Sequence, residues 1–179
     1  MTDTFYITTP IYYVNSHPHI GHAYTTIVTD VLTRFRKLFG DDTYFLTGTD
    51  EHGQKIVESA AKAGVEPQAF VDEISREFRE MWPHLHIDFD QFIRTTDPEH
   101  KTCVQQILQK IYDQGEIHLK EYEGLYCVGC ERFLDEVELE DGNCPDHQTP
   151  PEFYQEQNYF FKMSAYQNWL LEELKQNES

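Results

Sequence analysis

Four soft ligands carry the most specific chemistry in this sequence. Cys127-Val-Gly-Cys130, thirteen intervening residues and then Cys144-Pro-Asp-His147 make two pairs, each with two residues between its members. That pattern offers three thiolates and an imidazole to one tetrahedral ion, the arrangement that zinc prefers. Protein fills all four positions, leaving none for a reacting water, so one structural zinc per chain is expected. A Cys127–Cys130 disulfide or free thiols are the rivals, and reduced cytoplasmic conditions disfavour the disulfide. Gly129 and Gly142 free the backbone for tight turns. Cys103 stands apart, beside Val104 and near Ile107, and reads as a buried apolar side chain.

Pro18-His19-Ile20-Gly21-His22 offers a different chemistry. It lies between a strand-like segment and a long helical pattern, and helix N-termini attract anions through free N–H groups and the dipole. His19 and His22 can donate to phosphoryl oxygens, and Gly21 lets a base or ribose lie against the backbone. A helix cap, a surface pair or half of a metal site would also account for histidines at this spacing. Gly48-Thr49-Asp50-Glu51-His52-Gly53 adds carboxylates and another histidine after a second strand. Asp50 can hold a substrate ammonium, and Glu51 or His52 can contact ribose or order the loop. The alternative is a helix cap with acids in its first turn. Ile11, Tyr12 and Tyr13 supply either apolar pocket walls or ordinary core packing.

Those groups need elements to position them. Residues 5–9 are β-branched and aromatic and run into Pro10, predicting a short strand, with a loop following to Pro18. From Tyr24 the apolar positions Ile27, Val28, Val31, Leu32, Phe35, Leu38 and Phe39 recur at three- and four-residue steps. That period predicts a helix burying this face, stopped by Gly40. Residues 43–47 form a second strand closed by Gly48, and helical spacing follows from Gly53 to Gly64. Helices over 67–81 and 98–114, each opening on proline, flank an irregular stretch over 83–97.

The alternation predicts an α/β fold with a parallel sheet and right-handed crossovers, with ligands beyond the carboxyl ends of the strands. The segments after Thr9 and Thr47 should therefore face one site. From Gly115 short strand-like pieces and turns take over to Pro151, followed by a strand over 153–161 and an amphipathic helix over 165–174. The expected division is 1–115, 116–162 and a terminal helix and tail over 163–179.

Hydrophobic residues at 39% and aromatic residues at 14% are ordinary for a globular chain. The N-terminus lacks a secretory pattern and no stretch approaches the roughly 18 apolar residues of a membrane span, so a soluble cytoplasmic protein without membrane contact is expected. Net charge is −18, and protonating all nine histidines would still leave a negative chain. Such a surface repels phosphate backbones, so autonomous nucleic-acid binding should be weak or absent.

Three segments carry a resemblance. Tyr6-Ile-Thr-Thr-Pro-Ile-Tyr-Tyr-Val-Asn15, Pro18-His-Ile-Gly-His22 and Leu46-Thr-Gly-Thr-Asp-Glu-His-Gly-Gln54 resemble the methionyl-tRNA synthetases of class I. The similarity continues through Phe92-Ile-Arg-Thr-Thr96 to Asn158-Tyr-Phe-Phe161. His-Ile-Gly-His alone marks a wider group of nucleotidyltransferases, so another adenylyl- or cytidylyltransferase sharing that element is one alternative.

The resemblance implies the first half of a Rossmann-like parallel nucleotide-binding domain with an inserted zinc-knuckle connective subdomain. It also implies methionine–tRNA ligase chemistry: ATP and L-methionine give methionyl-adenylate, and tRNA(Met) takes the acyl group in the complete enzyme. His19, Gly21 and His22 would bind ATP, the two histidines stabilising the phosphoryl transition state with Mg²⁺ sharing the charge. Ile11 and Tyr13 would line the methionine pocket, and Asp50 would receive its ammonium.

The family's second signature, Lys-Met-Ser-Lys-Ser, is not matched. Lys162-Met163-Ser164 continues into Ala165-Tyr166 and lacks the second lysine. The chain therefore reads as the N-terminal part of the enzyme, or alternatively as a free-standing truncated relative that binds ATP, methionine or a partner without charging tRNA.

Overall fold

The β-branched run before Pro10 forms β1 (Thr4–Thr8) in the computed structural model, which describes residues 3–177. The expected loop to Pro18 contains a two-residue strand, β2 (Tyr12–Tyr13), and α1 spans Ile20–Leu38. The second strand, β3 (Asp42–Asp50), runs through Gly48 instead of closing there. A Cβ at Gly48 would lie 2.0 Å from the Ile93 carbonyl oxygen, so glycine at this position serves the close approach of a neighbouring strand. α2 (Gln54–Ala63) ends on Gly64 in the left-handed conformation, and α3 spans Pro67–His84. The stretch expected to be irregular holds β4 (Gln91–Arg94), and α4 (Pro98–Asp113) follows.

All the pairings in the first sheet are parallel. β3 is central, with β1 and β2 in line along one flank and β4 on the other. Tyr12, Val14, Phe45, Ile56, Val71, Ile74, Phe78, Trp82 and Ile87 make the core.

α1 departs from its predicted orientation. Its buried residues are Thr26, Thr29, Asp30 and Thr33, while Ile27, Val28, Val31, Leu32, Phe35, Leu38 and Phe39 are exposed. The inward face tolerates polarity because its groups are satisfied. Thr26, Thr29 and Thr33 donate to carbonyls four residues back, at 2.9, 3.0 and 2.8 Å. Asp30 pairs with Arg34 at 2.6 Å and accepts the Asp88 N–H at 3.0 Å.

The chain divides into two compact units, one through Thr102 and one from Cys103. This division falls inside α4, whereas the compositional change lies at Gly115, just past the end of that helix. In the second unit β5 (Ile117–Cys127) is flanked antiparallel by β6 (Arg132–Leu134) and β7 (Glu152–Phe161). A 3-10 turn leads into α5 (Gln167–Gln176). Cys103 is exposed, contrary to expectation, because α4 buries none of its residues. Among the described residues no helix is long and apolar enough to cross a membrane.

Candidate functional site

The chain emerging from β2 reaches α1 through Pro18, and His19 becomes the N-cap in extended conformation. His22 Nδ1 accepts the His19 N–H at 3.2 Å, and His19 Nδ1 accepts the Gly21 N–H at 3.1 Å. Two imidazoles thus make the reciprocal caps that Ser/Thr and Glu usually make. With both Nδ1 atoms accepting, each neutral ring carries its proton on Nε2, a donor free to meet an anion. The rings stack with centroids 3.8 Å apart, and a Cβ on Gly21 would approach His19 Cε1 at 3.0 Å. Glycine is what lets the His19 ring fold over the helix start.

His22 is backed by Tyr12 and Phe78, with ring centroids at 4.8 and 5.0 Å. This partial burial, with the repulsion two protonated rings would feel adding to it, holds the His22 pKa below its ordinary value and favours the neutral ring at pH 7. No acidic residue occupies the first turn of α1, leaving the positive end of the helix uncompensated.

β2 links this helix start to the end of β3. Tyr12 turns its ring under His22 and bonds Thr26 Oγ1 at 2.7 Å, so it is core and not pocket wall. Tyr13 lies in register with Asp50, and the Val14 N–H donates to the Asp50 carbonyl at 3.3 Å. Ile11 is exposed at the same edge, and Asp50 is half-buried at the carboxyl end of the central strand. Tyr12 thus packs against His22, and its neighbour Tyr13 pairs with Asp50 at the carboxyl end of β3, the end of the strands where open parallel sheets bind ligands.

The sequence left Glu51 between ligand contact, loop ordering and helix capping, and did not reveal its partners. The Glu51 side chain is fully buried and takes a bidentate pair from Arg94, Nε to Oε1 at 2.7 Å and Nη2 to Oε2 at 2.8 Å. Thr49 Oγ1 adds a bond at 2.6 Å, and the Thr96 hydroxyl adds another. Burial pushes the Glu51 carboxyl up, but Arg94, Thr49 and Thr96 outweigh it and keep the group below its ordinary range. Of the roles open to Glu51, the carboxylate is engaged in ordering the loop. His52 is exposed, with Nε2 3.3 Å from the Thr95 carbonyl. The signal for Arg94 was its place in a motif; its partners, 43 and 22 residues away, were not readable.

The second unit gathers Cys127, Cys130, Cys144 and His147 with their ligand atoms within 4.8 Å of one another. His147 Nδ1 lies 3.9, 3.2 and 3.8 Å from the three sulfurs in that order, and Cys130 Sγ lies 3.5 Å from Cys144 Sγ. A tetrahedral zinc with Zn–S near 2.3 Å has ligand-to-ligand edges of about 3.5–3.8 Å, and these four separations lie close to that range. The Cys130 N–H donates to Cys127 Sγ at 3.4 Å, and Glu131 turns the chain with a φ of 53°. Gly129 is needed for proximity: a Cβ there would lie 2.3 Å from His147 Cδ2. Burial and the neighbouring thiols push Cys130 up to about 12. At Cys144 burial also opposes ionisation, but hydrogen bonds from His147 and the thiols bring it down to about 6. These four residues form a candidate metal site.

Lys162, the start of the partial match to the second family signature, is held within its own unit. Its ammonium donates to the Gly115 carbonyl at 2.7 Å, which ties the end of β7 to the start of β5.

Comparison with known proteins gives this geometry its family. The profile of tRNA synthetases class I (M) matches residues 5–150. The methionine–tRNA ligase of Clostridium tetani is 49% identical over 174 residues, covering 97% of this chain and 27% of that protein. The chloroplastic/mitochondrial methionine–tRNA ligase of Arabidopsis thaliana is 49% identical over 176 residues, covering 98% of this chain and 29% of that protein. The Mycobacterium tuberculosis methionyl-tRNA synthetase, solved in complex with methionyl-adenylate, matches with a TM-score of 0.91 at 43% identity, covering 98% of this chain and 35% of that one. The chain thus spans well under half the length of the relatives it matches, and its parallel sheet is that of their N-terminal Rossmann-like region. With the profile, the relatives and the fold in agreement, this chain belongs to the class I tRNA synthetases of the methionine type.

Proposed function

We propose that this chain supplies the ATP- and methionine-binding edge of a methionine–tRNA ligase. In the first step a methionine carboxylate oxygen attacks the α-phosphorus of ATP, forming methionyl-adenylate as pyrophosphate leaves. A terminal ribose hydroxyl of tRNA(Met) then attacks the activated carbonyl and AMP departs. Neither step needs a protein nucleophile, so the protein's task is positioning and charge stabilisation.

His19 and His22 offer Nε2–H donors to phosphoryl oxygens, and Gly21 keeps the helix start open to the nucleotide. Mg²⁺ accompanies ATP and shares the phosphate charge. Asp50 accepts the methionine ammonium, and Tyr13 and Ile11 flank the amino acid. Cys127, Cys130, Cys144 and His147 hold one structural zinc, which supplies no step of the chemistry. Residues 1–115 act as the first half of the nucleotide-binding domain, 116–162 as the connective knuckle, and 163–179 as a terminal helix and tail. The net charge of −18 leaves most tRNA affinity to other parts of the enzyme. Reduced thiols and the tRNA substrate suit a cytoplasmic setting.

One observation supports this reading: of the two residues of β2, Tyr12 packs against His22 and Tyr13 lies in register with Asp50 at the carboxyl end of β3. Calorimetry on this chain, alone and with the C-terminal remainder of the Clostridium tetani relative supplied in trans, tests it. Asp50→Asn should lose methionine binding and keep ATP, and His22→Ala should do the reverse. Binding of neither ligand in the complemented protein would end the enzyme reading.

A further inference from the structure

We propose that Glu51 and Arg94 are positioning residues for the amino-acid substrate: their buried ion pair fixes the Asp50–Glu51 peptide and so aims the Asp50 carboxylate. The proposal rests on the reading of Asp50 as the ammonium acceptor.

The peptide is held from both flanks. On one side the Asp50 carbonyl accepts Val14 N–H at 3.3 Å, and on the other the Glu51 N–H donates to Thr95 Oγ1 at 2.9 Å. Thr95 is itself placed by its N–H, which donates to the Thr49 carbonyl at 3.2 Å. Glu51 cross-ties these pieces, since Arg94 ends β4, Thr96 lies in the following turn, and Thr49 belongs to β3. Thr49 also bonds Ser75 of α3 at 2.9 Å, and Arg94 Nη2 reaches Asp72 of α3 at 2.5 Å. The same helix carries Phe78, the ring behind His22. One rigid element thus braces both the carboxylate and the histidine sides of the edge.

Stability alone is a poor account of this network. A buried ion pair gains little over well-packed apolar residues, because desolvating both charges offsets their attraction. What a fully satisfied network supplies is a single conformation. Glu51 achieves this at the residue next to the substrate-facing carboxylate. The two legs of Arg94 differ in weight: the Glu51 side chain is 0% exposed, but Asp72 is 52% exposed, so the second leg is screened by water.

Methionine and ATP dissociation constants, measured by calorimetry on the chain complemented as above, test the proposal alongside thermal unfolding. Arg94→Lys loses the planar fork; its methionine affinity should fall by roughly tenfold to a hundredfold, the scale of one misaligned hydrogen bond between the Asp50 carboxylate and a charged ammonium. ATP affinity should stay within about twofold, since the histidine caps do not depend on the fork. Glu51→Leu/Arg94→Met, which replaces the pair with apolar volume, should keep the melting temperature yet show the same selective loss. Asp72→Asn should bind both ligands as the wild type does.

A purely structural role would lower both affinities together or change only the melting temperature, and either pattern in Arg94→Lys overturns the proposal. So does wild-type methionine affinity in Arg94→Lys, whether or not the double variant folds. Asp50→Asn separates the two levels. If it binds methionine normally, the underlying reading fails; if it loses methionine while Arg94→Lys does not, only the positioning role fails. A wild-type protein that binds no methionine overturns both.

Discussion

Removing the metal should unfold one part of this chain and leave the rest intact. The buried cluster around the four ligands contains Cys127, Cys144 and a single aliphatic residue, Leu134, with Leu139 and Cys130 only partly buried beside it. Burying one leucine contributes about 1.5–3 kcal/mol, and each ordered residue costs about 1–2 kcal/mol of backbone entropy. So small a cluster cannot hold the loop between Cys127 and the start of β7. A structural zinc contributes on the order of 10–16 kcal/mol in small knuckles, enough to decide whether the loop is ordered. Amide hydrogen exchange on protein before and after treatment with a strong chelator reads this directly. Residues 128–150 should lose their protection, while β1, β3 and α3 keep theirs. Cys144→Ser should show the same exchange pattern and lose its zinc. Unchanged protection in protein verified to be metal-free, or full zinc content in Cys144→Ser, would refute the reasoning.

Gly48→Ala puts a methyl group against the Ile93 carbonyl and should cost about 3 kcal/mol or more, seen as a lower denaturant midpoint; a midpoint like that of the wild type would mean that β3 and β4 separate easily. Gly129→Ala should displace the His147 ring and weaken zinc in a competition titration while leaving the parallel sheet unchanged. Phe78→Ala removes a fully buried ring and should cost about 3–5 kcal/mol, with ATP affinity falling as the support behind His22 goes. His22 has a folded pKa below its ordinary 6.5, so the unfolded chain binds the extra proton first. Its contribution to stability is therefore complete above about pH 6.5 and declines as pH falls towards the lower folded value. His22→Gln should flatten that part of the pH–stability curve, and an unchanged slope would assign it to other groups.

What could be read from the sequence was what periodicity and spacing encode. β1, β3, β7 and the five α-helices follow from strand-like runs, helical repeats and proline or glycine punctuation, and the candidate metal cluster from two short spacings. β2 and β4 escaped because strands of two and four residues exist only through pairing with β3. α1 misled for a different reason. The apolar stripe is real, but the inward face is chosen by threonines bonded to their own helix and by Tyr12 and Asp88, partners that no local pattern reveals. The same holds for Glu51: its sequence position left ribose contact, loop ordering and helix capping open, and only the fold brings Arg94 and Thr96 to it.

Methionine-dependent ATP–pyrophosphate exchange tests the central claim most directly. It should be run on this chain alone and with the C-terminal remainder of the Clostridium tetani relative added. The account predicts exchange in the complemented protein, abolished by Asp50→Asn and reduced by orders of magnitude in His22→Ala. No exchange in complemented, zinc-loaded protein that binds the added remainder would contradict it.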